Sequence, residues 1–194
     1  MRIVGGRWRG QKLADLGDGD AKAHLRPTTD RVRENLFNLL INGRHGNLVA
    51  NARVLDLFAG TGALGLEALS RGATWATFVD NGSTAQGFIR QNIARCGAGR
   101  MAKVLCCDAT DLGRGRAHDL VFADPPYHDS GVGAVAIEKA LKSGWMGPRA
   151  TLLWETSTPP ILPAGLVVLD QRRYGRAIVT LAARVIDLGN SGTL

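Results

Sequence analysis

Short β-branched runs alternate with helical patterns from residue 53 to residue 154, and this alternation constrains the fold more than any other feature of the sequence. The predicted strands cover 53–58, 75–79, 103–107, 119–123 and 150–154, and the predicted helices cover 63–71, 83–96 and 132–143. Strands separated by helices of this length are typical of βαβ crossovers, which place parallel strands in one sheet with helices on both faces. The sequence therefore predicts an α/β fold with a mostly parallel sheet.

The end of the chain predicts a different kind of strand pairing. Two apolar runs, 166–171 and 177–184, are separated by only five residues, which are too few for a crossover helix. A connection this short joins neighbouring antiparallel strands. We therefore expect a seven-stranded sheet whose C-terminal strand is antiparallel to the others.

Composition excludes several classes of protein. The 194 residues are enough to bury a hydrophobic core without staples, and the three cysteines form no CxxC pair that would indicate a metal site. The longest stretch without a charge, 156–169, contains three prolines and falls short of the about 20 apolar residues that a membrane-spanning helix needs. The first residues lack the apolar run of a secretory signal. We expect a cytoplasmic monomer with neither a membrane span nor a metal.

Basic residues are concentrated in the first 44 residues, which hold nine Lys and Arg against five Asp and Glu. This segment therefore contributes +4 to a net charge of +7. Residues 2–9 predict a hairpin with a glycine turn. One apolar helix face, expected to dock on the rest of the protein, is formed by Val32, Leu36, Leu39 and Leu40. We therefore divide the chain into a basic hairpin-and-helix extension, 1–45, and a second domain, 46–194.

The triplet Arg7-Trp8-Arg9 places an aromatic ring between two cations on a glycine-rich segment. Contacts between arginines and phosphates favour RNA binding because they release counterions, and an indole ring can stack on a base. A solvated basic surface is the alternative interpretation. The sequence favours RNA contact, and the candidate residues are Arg2, Arg7, Trp8, Arg9, Arg26, Arg31 and Arg33.

A glycine-rich loop follows the first predicted strand. Gly60, Gly62 and Gly65 match the GxGxxG pattern between a strand and a helix. The second strand ends at Asp80, 20 residues after Gly60, at the position where an acid binds a ribose. A tight turn that needs glycines only for packing is the alternative. The combination of strand, helix and spaced acid predicts a nucleoside-cofactor site.

Asp56, four residues before Gly60, indicates which cofactor this site takes. A dinucleotide places an anionic pyrophosphate at the helix N-terminus, and a nearby carboxylate would repel it. S-adenosylmethionine has no phosphate and carries an ammonium and a sulfonium, which Asp56 can attract directly or through water. Charge complementarity thus favours S-adenosylmethionine over NAD. Asp108, after the third strand, is placed to bind the adenine amino group, or else to cap a helix.

The fourth predicted strand runs directly into Asp124-Pro125-Pro126-Tyr127. Two prolines can simply end a strand. In an open α/β sheet, however, the ligand crevice lies beyond the carboxyl ends of the strands, where the first and fourth strands are neighbours. The Asp124 carboxylate and the rigid Pro125 carbonyl can then accept the two N–H bonds of an exocyclic base amine and direct its lone pair at a methyl group. Tyr127 offers a face for a base that has left its stack.

Four segments together resemble the class I methyltransferases with a (D/N)PP(Y/F) motif, and more narrowly the bacterial family that methylates the N2 amine of guanine 966 in 16S rRNA. The segments are 2–10, 25–34, 56–72 and 124–127, of which the first two are the most specific. The resemblance implies a Rossmann-like fold and a 16S rRNA substrate, alone or in an assembling small ribosomal subunit. It implies cofactor contacts from Asp56, Phe58, Ala59, Gly60, Thr61, Gly62, Asp80 and Asp108, and base positioning by Asp124, Pro125, Pro126 and Tyr127. Asp80 departs from the Glu that relatives often have there, which shortens the reach to the ribose.

Three other functions share parts of this pattern. A Rossmann oxidoreductase would have the glycine loop without needing Asp56 or the Asp-Pro-Pro-Tyr segment. A non-catalytic RNA-binding module would have the basic extension without needing an intact cofactor loop. An adenine-N6 or cytosine-N4 DNA methyltransferase would use the same tetrapeptide, and only the N-terminal resemblance favours ribosomal guanine over these bases.

Overall fold

The computed structural model describes residues 1–15, 29–126 and 131–185. Four helices and seven strands lie in these ranges. The helices are α1 (Asp30–Asn42), α2 (Ala63–Ser70), α3 (Ser83–Arg95) and α4 (Val132–Lys142). The strands are β1 (Arg53–Leu57), β2 (Trp75–Val79), β3 (Ala102–Leu105), β4 (His118–Ala123), β5 (Met146–Thr156), β6 (Leu166–Tyr174) and β7 (Ala177–Arg184).

The strands form one sheet in the order β3-β2-β1-β4-β5-β7-β6. The pairs from β3 to β5 are parallel, whereas β7 pairs antiparallel with both β5 and β6. The predicted α/β class, the seven strands and the antiparallel C-terminal strand are confirmed. Because β1 and β4 are neighbours, the glycine loop and the Asp-Pro-Pro segment leave the sheet side by side at its carboxyl edge.

A hydrophobic core covers each face of the sheet. On one face, Ile3 of the N-terminal segment, Leu36 of α1 and Leu66 of α2 pack on strand residues such as Phe78 and Phe122. On the other face, α4 packs on residues that include Leu55, Val121 and Trp154. The predicted apolar face of α1 is thus buried, and the N-terminal segment shares a core with the sheet.

The predicted N-terminal hairpin is wrong in detail. A single antiparallel bridge joins Arg2 to Lys12, and a 3₁₀ turn, Gly6–Trp8, replaces the tip of a ribbon. The cause is the neighbouring helix: Gly6 has a φ of 76°, and a Cβ there would lie 2.0 Å from the Ser70 carbonyl oxygen at the end of α2. The segment pairs with itself only at its ends, where Ile3 donates to the Gln11 carbonyl and Leu13 donates to the Met1 carbonyl, and its middle bends around that helix end.

Within the described ranges, the longest and most apolar helices still fall short of what a membrane crossing requires.

Candidate active site

The loop between β1 and α2 is bent by three residues with positive φ. Phe58, Gly60 and Gly62 have φ angles of 61°, 57° and 77°. Gly62 then occupies the N-cap of α2, and its amide donates to the Ala59 carbonyl at 2.7 Å. A left-handed backbone favours glycine at the loop's two central bends. The predicted loop, Ala59 to Gly62, is therefore a turn that leaves the first amides of α2 pointing out of the sheet edge.

Gly65 allows a buried carboxylate to reach the helix backbone. Its amide donates to Oδ2 of Asp56 at 2.9 Å, and a Cβ at this position would lie 2.4 Å from Cε1 of Phe78. Asp56 is only 2% exposed. The third glycine of the pattern is thus required by close packing, and Asp56 is fixed beneath the loop instead of lying open to solvent.

Asp80 ties the same loop to the end of β2. Its Oδ2 accepts the Gly60 amide at 2.8 Å, and its Oδ1 accepts the Gly82 amide at 2.8 Å. The carboxylate keeps lone pairs beyond these two bonds. Its predicted ribose contact stays a prediction, and the structure adds a positioning role for this residue.

Asp108 lies in the same network. It caps the 3₁₀ turn Ala109–Asp111, where its Oδ1 accepts the Thr110 amide at 2.8 Å, and Asn81 donates to its Oδ2 at 3.1 Å. The hydrogen bonds from Thr110 lower the pKa of Asp108 and keep it ionised. Both sequence interpretations thus remain open, because the acid that caps the turn also stands beside the Asp80 loop. Asn81 thereby links the ends of β2 and β3.

Asp124 follows β4 directly. Phe122, two residues earlier, pairs in register with Asp56 on β1, so Asp124 extends along the same face of the sheet as Asp56. Pro125 and Pro126 are also within the described ranges, whereas Tyr127 lies outside them. The structure therefore brings Asp124 and the glycine loop together as the strand order predicts.

A third acid, Glu155 of β5, completes a row with Asp56 and Asp124. Trp154 pairs with Ala123, so the next residue on each strand, Glu155 and Asp124, stand level with each other. Glu155 is 9% exposed. Sequence reasoning missed this residue, although an acid directly after the apolar run 150–154 was a usable signal.

The electrostatics of this row are unusual. Burial raises the pKa of Asp124 well above its ordinary value, and the charges of Glu155 and Asp56 raise it further. Burial also raises the pKa of Asp56 to about 8, opposed by the Gly65 hydrogen bond and reinforced by the charge of Asp80. In the described part of the chain, neither Asp56 nor Asp124 forms an ion pair with a Lys, Arg or His. Binding of a positively charged ligand would therefore be favourable here, because it would stabilise the ionised carboxylates.

The predicted RNA-binding residues fall into three groups. Arg9 and Arg31 are exposed, and Arg2 is exposed but bonded to Asp30 at 2.9 Å. Arg7 donates to the Leu69 carbonyl at 2.9 Å and lies over the half-buried ring of Trp8. Arg26 lies outside the described residues. Arg2 and Arg9, but not Arg31, line a cleft of about 380 Å³, which Arg71 and Glu34 also line.

The prediction that Arg33 contacts RNA is wrong. Its side chain is completely buried, with Nη2 2.7 Å from Asp30 and Nε 3.6 Å from the equally buried Glu67 of α2. Glu67 also accepts the amides of Val4 and Gly5, at 2.8 and 2.7 Å, and Nε of Arg71 at 2.7 Å. We call Arg33, Glu67 and Arg71 the Glu67 cluster, and it anchors the N-terminal segment to α2.

Burial lowers the pKa of Arg33, and the charges of Glu67 and Asp30 oppose that shift. The sequence did contain a signal for this pair: Arg33 recurs with Leu36, Phe37 and Leu40 on one helix face, and Glu67 interrupts an otherwise apolar helix. Because a buried charge is normally paired, an Arg on one buried helix face and a Glu on another predict an ion pair between the two helices.

Groups of His, Cys, Asp and Glu suited to a metal ion do not occur among residues 1–15, 29–126 and 131–185.

Strand order and loop geometry define the class of the protein. The chain has the Rossmann-like fold of class I, S-adenosylmethionine-dependent methyltransferases. It matches the solved structure of yhhF from Escherichia coli with a TM-score of 0.81 at 37% identity, over 95% of this chain and 98% of that one. A magnesium protoporphyrin IX methyltransferase from Synechocystis, solved with bound SAM, shares the fold at 14% identity with a TM-score of 0.61, over 84% of this chain and 88% of that one.

Sequence comparison narrows this class to one family. The chain belongs to the family described as "Conserved hypothetical protein 95", whose family model matches residues 1–183. It is 39% identical over 189 residues to Ribosomal RNA small subunit methyltransferase D of Escherichia coli K12, which covers 95% of this chain and 90% of that relative. The protein of the same name from Haemophilus influenzae is 35% identical over 183 residues, covering 90% and 89%. The resemblance drawn from the sequence is confirmed.

Proposed function

We propose that this protein transfers a methyl group from S-adenosylmethionine to the exocyclic N2 amine of a guanine in 16S rRNA of the small ribosomal subunit. The observation that carries the proposal is a pair of carboxylates, buried Asp56 and half-buried Asp124, which lie beside the glycine loop without an ion-pair partner in the described ranges. Similarity to rRNA small subunit methyltransferases over nearly the whole chain supports the rRNA substrate. Such a substrate implies a cytoplasmic enzyme, which we propose acts as a monomer.

The residues of the glycine loop fit this cofactor. S-adenosylmethionine, when bound, supplies the methyl group and brings positive charge close to Asp56 and Asp124. Asp56 holds the loop through Gly65 and lowers the free energy of a nearby ammonium or sulfonium. Asp80 and Asp108, joined through Asn81, offer acceptors for the ribose and the adenine. Phe58, Ala59 and Thr61 complete the wall of the loop.

Asp124 and the Pro125 carbonyl act on the target base. A base amine is a poor nucleophile because its lone pair is delocalised into the ring. Two acceptors on its two N–H bonds favour a pyramidal nitrogen whose lone pair faces the methyl group, and acceptors that are already oriented lower the barrier to transfer. The raised pKa of Asp124 means that a bound cation also helps to keep this acceptor ionised.

The experiment that tests this function is methyl transfer from labelled S-adenosylmethionine to 16S rRNA, followed by mass-spectrometric mapping of the methylated nucleoside. We expect N2-methylguanosine at one position, with both naked rRNA and small subunits tested as substrates. Methyl transfer only to adenine N6 or cytosine N4 of DNA would identify the other class of enzyme with this tetrapeptide. RNA binding without any transfer would leave a binding module.

A further inference from the structure

The hairpin between β6 and β7 carries a second aromatic among arginines. Tyr174 pairs with Ala177 across a two-residue turn, and Gly175 in that turn has a φ of 62°. Arg172, Arg173 and Arg176 are all exposed. This tip has the composition of the Arg7-Trp8-Arg9 segment, and neither the methyl transfer chemistry nor the N-terminal RNA contacts use it.

Strand register places this tip at the reactive edge of the sheet. Arg172 pairs with Val179, Val179 pairs with Glu155, and Glu155 stands level with Asp124. Three spacings of about 4.8 Å between neighbouring strands put Arg172 about 14 Å from Asp124 across the sheet. Residues paired along this row share one face of the sheet, which is also the face of Asp56 and Asp124. A ligand at Asp124 and a ligand at the hairpin tip can therefore belong to one extended molecule.

A groove of about 330 Å³ lies between this tip and α1. Arg172 and Tyr174 line one side, and the other side is lined by Asn35, Asn38, Leu39, Asn42 and Gly43. The three asparagines recur at i, i+3 and i+7, so they project from one face of the helix. Within the described ranges, their side-chain amides make no hydrogen bond. Asparagine is a poor helix former because its amide competes for backbone groups, so this amide face does not serve the stability of α1.

We propose that this groove binds a nucleotide of single-stranded RNA that flanks the methylated guanine. The inference rests on the proposed function, since it supplies a second contact for the same substrate. Amide groups can donate to and accept from the edges of a base, and an aromatic ring can stack on its face. Asp170 accepts from Arg172 at 3.1 Å and offsets part of its charge. Arg176 in the turn and the remaining charge of Arg172 therefore attract the phosphates on either side of the base, and Arg173 adds positive charge to the tip from the opposite face of the sheet.

The first test removes the charge of the tip with the triple variant Arg172→Ala, Arg173→Ala, Arg176→Ala. Filter binding to 16S rRNA over a salt titration should show a slope of log affinity against log salt that is smaller by about 0.7 for each phosphate that is no longer bound. The matched control replaces Arg100, Arg114 and Arg116, which are exposed near the amino ends of β3 and β4, with alanine. The control should keep the wild-type slope, and an equal change in both variants would overturn the proposal.

The second test uses the amide face of α1. The variant Asn35→Ala, Asn38→Ala should unfold at a higher urea concentration, because alanine is the better helix former, while its KM for rRNA rises about tenfold. Its kcat should stay within about twofold, since the reacting groups are untouched. A structural role for the asparagines predicts the opposite shift in stability. Greater stability with unchanged KM would overturn the proposal.

These outcomes separate the groove from the proposed function. If wild-type protein transfers methyl groups to rRNA and both variants match it, only the groove assignment fails. If wild-type protein transfers none, the proposed function fails, and the salt titration still decides whether RNA contacts the tip. Loss of binding to a ribosomal protein, with rRNA affinity unchanged, would make the groove a protein interface and also overturn the assignment.

Discussion

Two buried carboxylates next to the same short helix differ in how their charge is balanced. Glu67, on α2, accepts two backbone amides and lies against Arg33 and Arg71. Asp56, beneath the first turn of α2, accepts one amide and has other acids as its charged neighbours. The chain itself supplies positive side chains next to Glu67, whereas the described residues supply no ion-pair partner for Asp56.

This difference indicates where a ligand binds. Burying a charge is costly unless it is paired, so an arrangement that serves only the fold includes its own cation. The environment of Asp56 and Asp124 instead disfavours their ionisation, as their raised pKa values indicate. Carboxylates with raised pKa values are typical of functional sites, where a positively charged substrate or cofactor can stabilise their ionised form.

The largest effect is expected from breaking the balanced region. Glu67→Gln removes the buried negative charge that faces both Arg33 and Arg71, and it leaves Asp30 as the acid paired with Arg33. It should lower the free energy of unfolding by about 3–5 kcal/mol. Urea denaturation measures this decrease. Adding Arg33→Met to Glu67→Gln should recover part of it, because a neutral side chain then replaces a buried cation that has lost its buried acidic neighbour. A decrease below about 1 kcal/mol for Glu67→Gln, the range of an exposed ion pair, would contradict a structural role for the cluster.

In the unbalanced region, activity and stability should separate. Asp124→Asn should lower kcat for rRNA methylation by about 10²–10³-fold, because the base amine loses a charged acceptor. Its free energy of unfolding should stay equal or rise, since the substitution removes a half-buried carboxylate that has no ion-pair partner among the described residues. Calorimetry should show nearly unchanged affinity for S-adenosylhomocysteine. Near-normal turnover would reduce the Asp-Pro-Pro segment to a strand terminator.

A smaller effect concerns the pH dependence of stability. Because the pKa of Asp56 is about 8 in the folded protein but in its ordinary range when unfolded, the folded state binds the extra proton between those values. Stability should therefore fall as pH rises from 7 to 9, and Asp56→Asn should remove about 1 kcal/mol of that fall. Parallel urea titrations of the two proteins measure the difference. Identical slopes would mean that Asp56 is already ionised at pH 7.

The smallest effect tests whether the N-terminal segment, which the Glu67 cluster anchors, and the start of α1 also contact RNA. Arg9→Ala with Arg31→Ala removes two exposed charges and should reduce the salt slope of RNA affinity by about 0.7 for each phosphate that these arginines bind. Stability and S-adenosylmethionine binding should not change. If the salt slope is also unchanged, the N-terminal segment and α1 serve only to cover the sheet.

The sequence predicts most of the sheet because periodicity and connection length decide strand order locally. The bounds of β2 and β7 agree with the predicted ones, whereas β5 extends beyond the predicted run at both ends. At one end of β5, Glu155 and Thr156 pair with Val179 and Ile178 of β7, more than 20 positions later in the chain, and at the other end Met146 pairs with His118 of β4. Pairing partners of this kind leave no local signal.

Site residues could be predicted from the sequence where a local motif indicates their role. They were harder to predict where the packing of distant elements determines whether a side chain is buried. Asp124 follows from its strand and its prolines. Arg33 was assigned to RNA because a charge was taken as exposed, although its position with Leu36 and Leu40 placed it inside. Glu155 depends on the register between β4 and β5, which the sequence of either strand alone does not contain.

The anchoring of the N-terminal segment on Glu67 also has a consequence for the order of folding during synthesis. The bonds from Val4 and Gly5 to Glu67 close a loop of more than sixty residues, whereas the β6–β7 pair is a local hairpin. Long loops are slow to close, and chains emerge from the ribosome N-terminus first. Val4 and Gly5 must therefore wait, undocked, until α2 has emerged and folded. A segment translated well before α2 is in this way among the later parts to reach its native position.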